Sequence, residues 1–336
     1  MSCSRTAVWP LCLAATLLTP CARAQKQPEI KLATLLPRDG SGHKVLEDLK
    51  ATLQKAEGGG VKLTLRPDYT EGESAMVAKM KAGALQAGLI TVVGISEIDK
   101  SVSALQNLPL MFQDLAEVDH VQAALTPMLE KRLSDKGFYV LCWVDAGWVR
   151  WFSRKPILTP DDLRQQKLFC WSSDSPQFDL MKKHGLKPVL LEPTDVKASL
   201  ATGMIDAIAT PPFAALAFQY FDDTKNVLMV EWAPLVGGLV VTKKAFEALP
   251  EATRTAFRAA ATAMGVKMRE RNRKEADEAL ATLQKKGITV NRPSKEQGEL
   301  WAKFADEIWP DVRGNIVPAD LFDEVKKILA ERRAKK

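Results

Sequence analysis

The stretch from Glu251 to Lys286 keeps helical apolar spacing without a break. Phe257, Ala260, Met264, Met268, Leu280 and Leu283 share one stripe, and Gly287 supplies a stop. At ~1.5 Å per residue, such a helix would reach roughly 54 Å. One domain of a 336-residue chain is not that wide, so the helix is expected to brace two lobes.

The rest of the chain supplies material for two lobes. Ile30–Leu36 alternates at period two, and Val61–Leu65 and Leu89–Val93 read as further strands. Between them, His43–Leu53 and Glu71–Ala84 read as helices, the second with Met76, Met80 and Ala84 on one face. This β-α-β-α-β order predicts an open, mainly parallel sheet. A second block follows, with strands at Tyr139–Val144, Trp148–Ser153, Lys167–Trp171, Ala207–Thr210 and Leu239–Thr242. Thr159-Pro160-Asp161-Asp162 has the form of a capped helix start, and Ser294-Lys295-Glu296-Gln297 that of a capping box. Thr194 is expected to cap a helix that ends at Gly203.

The first 24 residues read as an export signal, with basic Arg5, an apolar run from Thr6 to Leu18, and a small-x-small site ending at Ala24. Acylation at Cys21 is the alternative, with Pro20 standing where a small residue is wanted. The formal charge is +6, or two less without Arg5 and Arg23, and the basic residues do not cluster, which gives no case for nucleic acid. No later segment is apolar enough to span a bilayer, so a soluble periplasmic protein is expected. Cys142 and Cys170 lie in apolar runs and read as buried thiols. His43, His120 and His184 share no motif, so no metal site is expected.

The run Gly147-Trp148-Val149-Arg150-Trp151-Phe152-Ser153, continuing through Pro156-Ile157-Leu158-Thr159-Pro160-Asp161-Asp162-Leu163 to Lys167-Leu168, resembles the DctP-type substrate-binding proteins of TRAP transporters. Their run reads roughly G-F-R-x-x-T-N, then P-I-x-T-P-E-D-L-x-G-x-K-I-R. Lys81–Gln86, Asn107–Phe112, Thr194–Ala207 and Leu249-Pro250-Glu251 are similar to other family motifs in the same order. The resemblance implies an α/β, two-lobed periplasmic-binding-protein fold of type II, with each lobe a mixed, mainly parallel sheet flanked by helices. It implies residues 25–147 plus 237–272 as lobe I and 148–236 plus 273–336 as lobe II. Hinges are expected near Ala146-Gly147 and Val236-Gly237-Gly238. A ligand clamped between the lobes would be delivered to membrane permease subunits.

The family's hallmark is an arginine at the end of the K-I-R strand, whose planar fork matches a carboxylate. Here Phe169 takes that position. Trp171 stands where a proline is usual, and Thr210 where an asparagine often follows. The arginine of G-F-R falls on Val149, with Arg150 one residue late; strand alternation would turn Arg150 to the other face. An apolar wall in place of the cation implies a neutral, hydrophobic or amphipathic ligand, because an unpartnered anion would lose hydration there. The candidate pocket residues are Trp148, Phe169, Trp171, Ser172 and Thr210, with Thr91 from the first lobe; Arg150 and Lys155 are the possible anion contacts.

Competing readings remain beside this one. The same rings at alternate strand positions can be core, and Thr91 an ordinary buried threonine. The chain can be an organic-acid receptor that uses Arg150 or Lys155, or a binding protein for a sensor. Hydrophobic cargo would bring in a periplasmic helical-repeat partner. No nucleophile elbow, metal box or phosphate loop is present, so no cofactor and no enzyme activity are expected. Glu192 and Asp206 read as helix-end and fold residues.

Overall fold

The computed structural model describes residues 28–56 and 60–335, so the expected leader, with Ala24 and Cys21, lies outside the described residues. The first lobe opens with β1 (Glu29–Thr34), α1 (Ser41–Gln54), β2 (Lys62–Arg66), α2 (Gly72–Lys81) and β3 (Ala87–Thr91). The short helix α3 (Val92–Ser96) follows at once, then α4 (Leu115–Asp135) and the 16-residue strand β4 (Phe138–Ser153). The second lobe holds α5 (Pro160–Arg164), β5 (Lys167–Trp171), α6 (Ser175–Lys183), β6 (Lys187–Leu191), α7 (Val196–Thr202), β7 (Ala207–Thr210), α8 (Pro212–Ala217) and β8 (Asn226–Leu228). The chain returns along β9 (Ala233–Thr242) and α9 (Lys243–Glu247) to α10 (Glu251–Lys285), and ends with β10 (Thr289–Asn291), α11 (Lys295–Asn315) and α12 (Ala319–Arg333).

The strands run in the order β2-β1-β3-β9-β4-β7-β5-β6. Neighbours are parallel at β1/β2, β1/β3, β5/β6 and β5/β7, and antiparallel at β3/β9, β4/β9 and β4/β7. β4 belongs to both lobes. Its residues 138–149 pair with β9, and residues 150–153 pair with β7. The sequence reading splits this strand at Gly147; in the structure it runs on, because Gly147 (φ 71°) sits in a bulge between Asp145 and Trp148. α10 is the brace that its stripe predicts. Phe257, Ala261, Met264 and Met268 pack in a cluster with β1, β9 and α1, while Leu283 packs in the second lobe with Phe152, Phe169 and Ile208.

The expected capping box at Ser294 forms, and the expected cap at Thr159 also closes into a box. Thr159 and Asp162 bond reciprocally at α5, as do Ser294 and Gln297 at α11. Thr194 does not cap; the turn Pro193–Asp195 intervenes, and α7 begins at Val196 and stops at Gly203 in the left-handed region. α12 packs on α4 with Leu321, Phe322, Val325 and Leu329 in the first-lobe cluster, whereas the sequence division gives residues 273–336 to lobe II. Arg333 holds it there through two bonds to buried Glu117 (2.8 and 2.7 Å). Cys142 and Cys170 are free and buried, and burial pushes both thiols up to about 12. Among the described residues, no helix is long and apolar enough to cross a membrane, and no group of three or more His, Cys, Asp or Glu could hold a metal.

Candidate ligand-binding site between the lobes

The carboxyl ends of the parallel strands face each other across the lobe boundary: Thr34 and Thr91 on one side, and Trp171, Leu191 and Thr210 on the other. Open α/β sheets bind ligands outside these ends. The two sides touch. A Cβ built on Gly72 of α2 would lie 2.5 Å from Glu192 Oε2, and Leu180 of α6 packs in the first-lobe cluster.

Register fixes which second-lobe side chains meet this seam. Trp171 pairs with Leu191, Thr210 with Arg150, and Leu168 with Ala207, which carries Trp171 beside Thr210 three residues on. Leu191, Trp171, Thr210 and Arg150 therefore form one row at the cleft end of one sheet face. The next row down is Val189, Phe169, Ile208 and Phe152. Phe169, in the expected clamp position, lies in this deeper row. It is 9% exposed, packed with Val196, Leu200 and Ile208, and its ring centroid is 5.9 Å from that of Trp171.

Arg150 shares the face of Thr210 and Trp171, while Val149, where the family's arginine falls, alternates to the opposite face and packs with Trp151, Leu168 and Cys170. Between Asp145 and Trp148, β4 advances three residues while β9 advances two, from Val236 to Pro234. The extra residue shifts parity across the bulge, between residues 138–145 and 148–153, and leaves the alternation of Val149 and Arg150 intact. The Arg150 side chain is 12% exposed; Nη2 donates to Glu231 Oε1 at 3.1 Å, while Nη1 is buried without a hydrogen-bond partner. The other candidates are dispersed. Trp148 pairs with Pro234 and packs against the first-lobe cluster. Ser172 donates its hydroxyl to Glu192 Oε1. Lys155 lies on an exposed turn after β4, with its carbonyl accepting from the Ser153 hydroxyl at 2.6 Å. Thr91 caps α3 and donates its hydroxyl to Glu73 Oε2 at 2.7 Å.

Glu73 escapes sequence reasoning altogether. Its buried carboxylate also accepts from the N–H groups of Thr91 (2.8 Å) and Gly94 (3.0 Å). Burial pushes its pKa above the ordinary value, against the pull of these bonds. Burial also raises Asp174, the N-cap of α6, and Glu97 of the first lobe adds to the effect. At the β4 bulge, Gly147 N–H donates to Asp145 (3.0 Å), whose fully buried carboxylate takes Arg273 Nε (3.1 Å) and Nη2 (2.8 Å). Arg273 also grips Asp119 of α4 at 2.9 and 2.7 Å, and Asn272 donates to the Asp145 carbonyl at 2.9 Å. A lone acid inside an apolar strand carries no sequence signal for such long-range pairing.

Residues 32–315 match the family model of bacterial extracellular solute-binding proteins, family 7 (DctP). A solute-binding protein of Sulfitobacter sp. (strain NAS-14.1) is 22% identical over 245 residues, covering 71% of this chain and 72% of its own. A TRAP periplasmic solute-binding protein of Xanthobacter autotrophicus Py2 with bound β-D-galacturonate superposes with TM-score 0.81 at 20% identity, covering 90% of this chain and 99% of its own. Another, from Sulfurospirillum deleyianum DSM 6946 with bound succinate, gives 0.81 at 19% identity with the same coverage. With its order of strands, its shared β4 and this match over most of its length, the chain belongs to the DctP family, the extracytoplasmic solute-binding receptors of TRAP transporters.

Proposed function

We propose that this receptor captures an amphipathic organic acid in the interlobe cleft and hands it to TRAP permease subunits. One observation carries the reading: Arg150 stands in the cleft-facing row with a buried guanidinium nitrogen that has no protein partner. A buried donor left unmade is costly, and a ligand carboxylate would satisfy it. The half-buried Trp171 and the Thr210 hydroxyl beside it would meet the ligand's body. Phe169 lies one row deeper and supports the packing beneath them. The relatives with bound galacturonate and succinate are consistent with an acid. Export by residues 1–24 to the periplasm, and lobes divided as the sequence suggests but with α12 joined to lobe I, complete the proposal. A helical-repeat partner belongs to the variant in which the cargo is neutral and hydrophobic.

Native mass spectrometry of protein purified from its own periplasm tests the ligand class. A bound monocarboxylate, lost in Arg150→Gln, is the expected result. A co-purifying neutral lipid or aromatic compound retained by Arg150→Gln would overturn the acid in favour of the hydrophobic variant. Small-angle scattering adds a check on mechanism, since ligand contacts to both lobes favour the closed state and should compact the protein.

A further inference from the structure

The cleft-facing row has two chemically different ends. Arg150 closes one end on β4. Leu191 closes the other on β6; Glu192 is the next residue, past the strand end and of opposite parity to the row, and its contact with Gly72 places it in the seam. Three inter-strand steps separate those ends, roughly 14 Å between backbones at about 4.8 Å per step. Side chains reaching inward from both ends leave room for a ligand only a few atoms long. Glu192 is half-buried, takes the Ser172 hydroxyl on Oε1, and lays Oε2 against Gly72 of the opposite lobe. It therefore stands in the seam itself. Other polar groups border this seam: Glu73 is the residue next to Gly72, and Asp174, two residues after Ser172, interacts with both Glu97 and Lys100 of the first lobe.

Resting on the Arg150 reading, we infer that Glu192, held by Ser172, is a specificity residue that selects monocarboxylates with a hydroxyl or ammonium donor at the far end and rejects dicarboxylates. A carboxylate has about four lone-pair sites and accepts further donors after Ser172 has bonded. A hydroxyl or ammonium group arriving at that end donates to Glu192. A second ligand carboxylate instead meets a like charge in a seam that closure shields from water, where the repulsion is least screened. Two receptors of the same fold hold a hydroxylated monocarboxylate, galacturonate, and a dicarboxylate, succinate. Glu192 assigns this chain to the first kind.

The test uses the mature full-length protein, titrated by calorimetry with three probes of equal chain length: succinate, 4-hydroxybutyrate and 4-aminobutyrate. Because like-charge juxtaposition at an interface costs several kcal/mol, wild type should bind the two donor-bearing probes about a hundredfold more tightly than succinate. Glu192→Gln should gain succinate binding and lose preference for 4-aminobutyrate. Ser172→Ala, a smaller change at the same place, should shift the preference in the same direction. Equal affinity for all three probes in wild type, no binding of any, or a Glu192→Gln variant with unchanged preference would each overturn the assignment. Failure of the Arg150 reading looks different: Arg150→Gln would then leave binding of every probe intact. A purely structural Glu192 would weaken all three probes together and leave their ratio fixed.

Discussion

Replacing Arg273 with alanine strips the Asp145 carboxylate of its main cation. Asp145 is fully buried at the point where β4 passes from one lobe to the other, and Arg273 supplies two of its hydrogen bonds, at 3.1 and 2.8 Å. Burial works against the guanidinium charge, but the bonds to Asp119 and Asp145 outweigh it and push the Arg273 pKa above its ordinary value. Breaking a buried pair by removing one partner costs about 3–5 kcal/mol. Two features lower that figure here. Arg269 Nε stays within 3.5 Å of Asp145, and Asp119, with 37% of its side chain exposed, is rehydrated when its partner goes. The expected loss is therefore about 2–3 kcal/mol. Urea unfolding followed by circular dichroism would read it as a fall in midpoint, with Lys274→Ala on the exposed face of α10 as control. A double-mutant cycle with Asp145→Ala separates the pair from its surroundings: the double variant should lose much less than the sum of the singles. An Arg273→Ala loss within about 0.5 kcal/mol, the range of ordinary surface substitutions, would refute the claim that this cluster anchors the β4 bulge to α10 and α4.

The buried Glu73 predicts a pH dependence of definite sign. Its folded pKa lies above the ordinary 4.5, so between those values the native state holds a proton that the unfolded chain has released. The penalty is fully present above the folded pKa and is relieved as pH falls towards 4.5; relative to Glu73→Gln, wild type should gain stability across that window. A midpoint difference that stays flat with pH, or runs the other way, would count against it. Phe169→Arg places a charge in an apolar cluster and should cost on the order of 3 kcal/mol in urea unfolding. A variant of wild-type stability that binds carboxylates more tightly would show that this position faces the cleft after all.

Much of the architecture was legible locally. The stripe from Phe257 to Leu283 marked α10 to within a residue of its end, and β5 and β7 fell where their apolar runs placed them. The boxes at Thr159 and Ser294 formed because each partner lies three residues away, within reach of the chain's own turn. Thr194 failed for a related reason: Pro193 opened a turn ahead of the helix and moved its start to Val196. α12 carried an apolar face, but nothing in its sequence said whether α4 or the second lobe would cover it.

The geometry of the candidate residues was legible in part. Sequence put Phe169 and Trp171 on one face, and they do share it. Which of the two meets the cleft depends on pairing with β6 and β7, and only the folded register supplies that. Likewise, the residue types and their periods determined that this chain makes α/β lobes spanned by one long helix, because those signals act over a few residues. The pairing of β4 with β7 that sets Arg150 beside Thr210, the burial of Glu73 and Asp145, and the approach of Glu192 to Gly72 were decided by tertiary structure. Each of these brings together groups tens of residues apart, and their energies exist only once both lobes are packed.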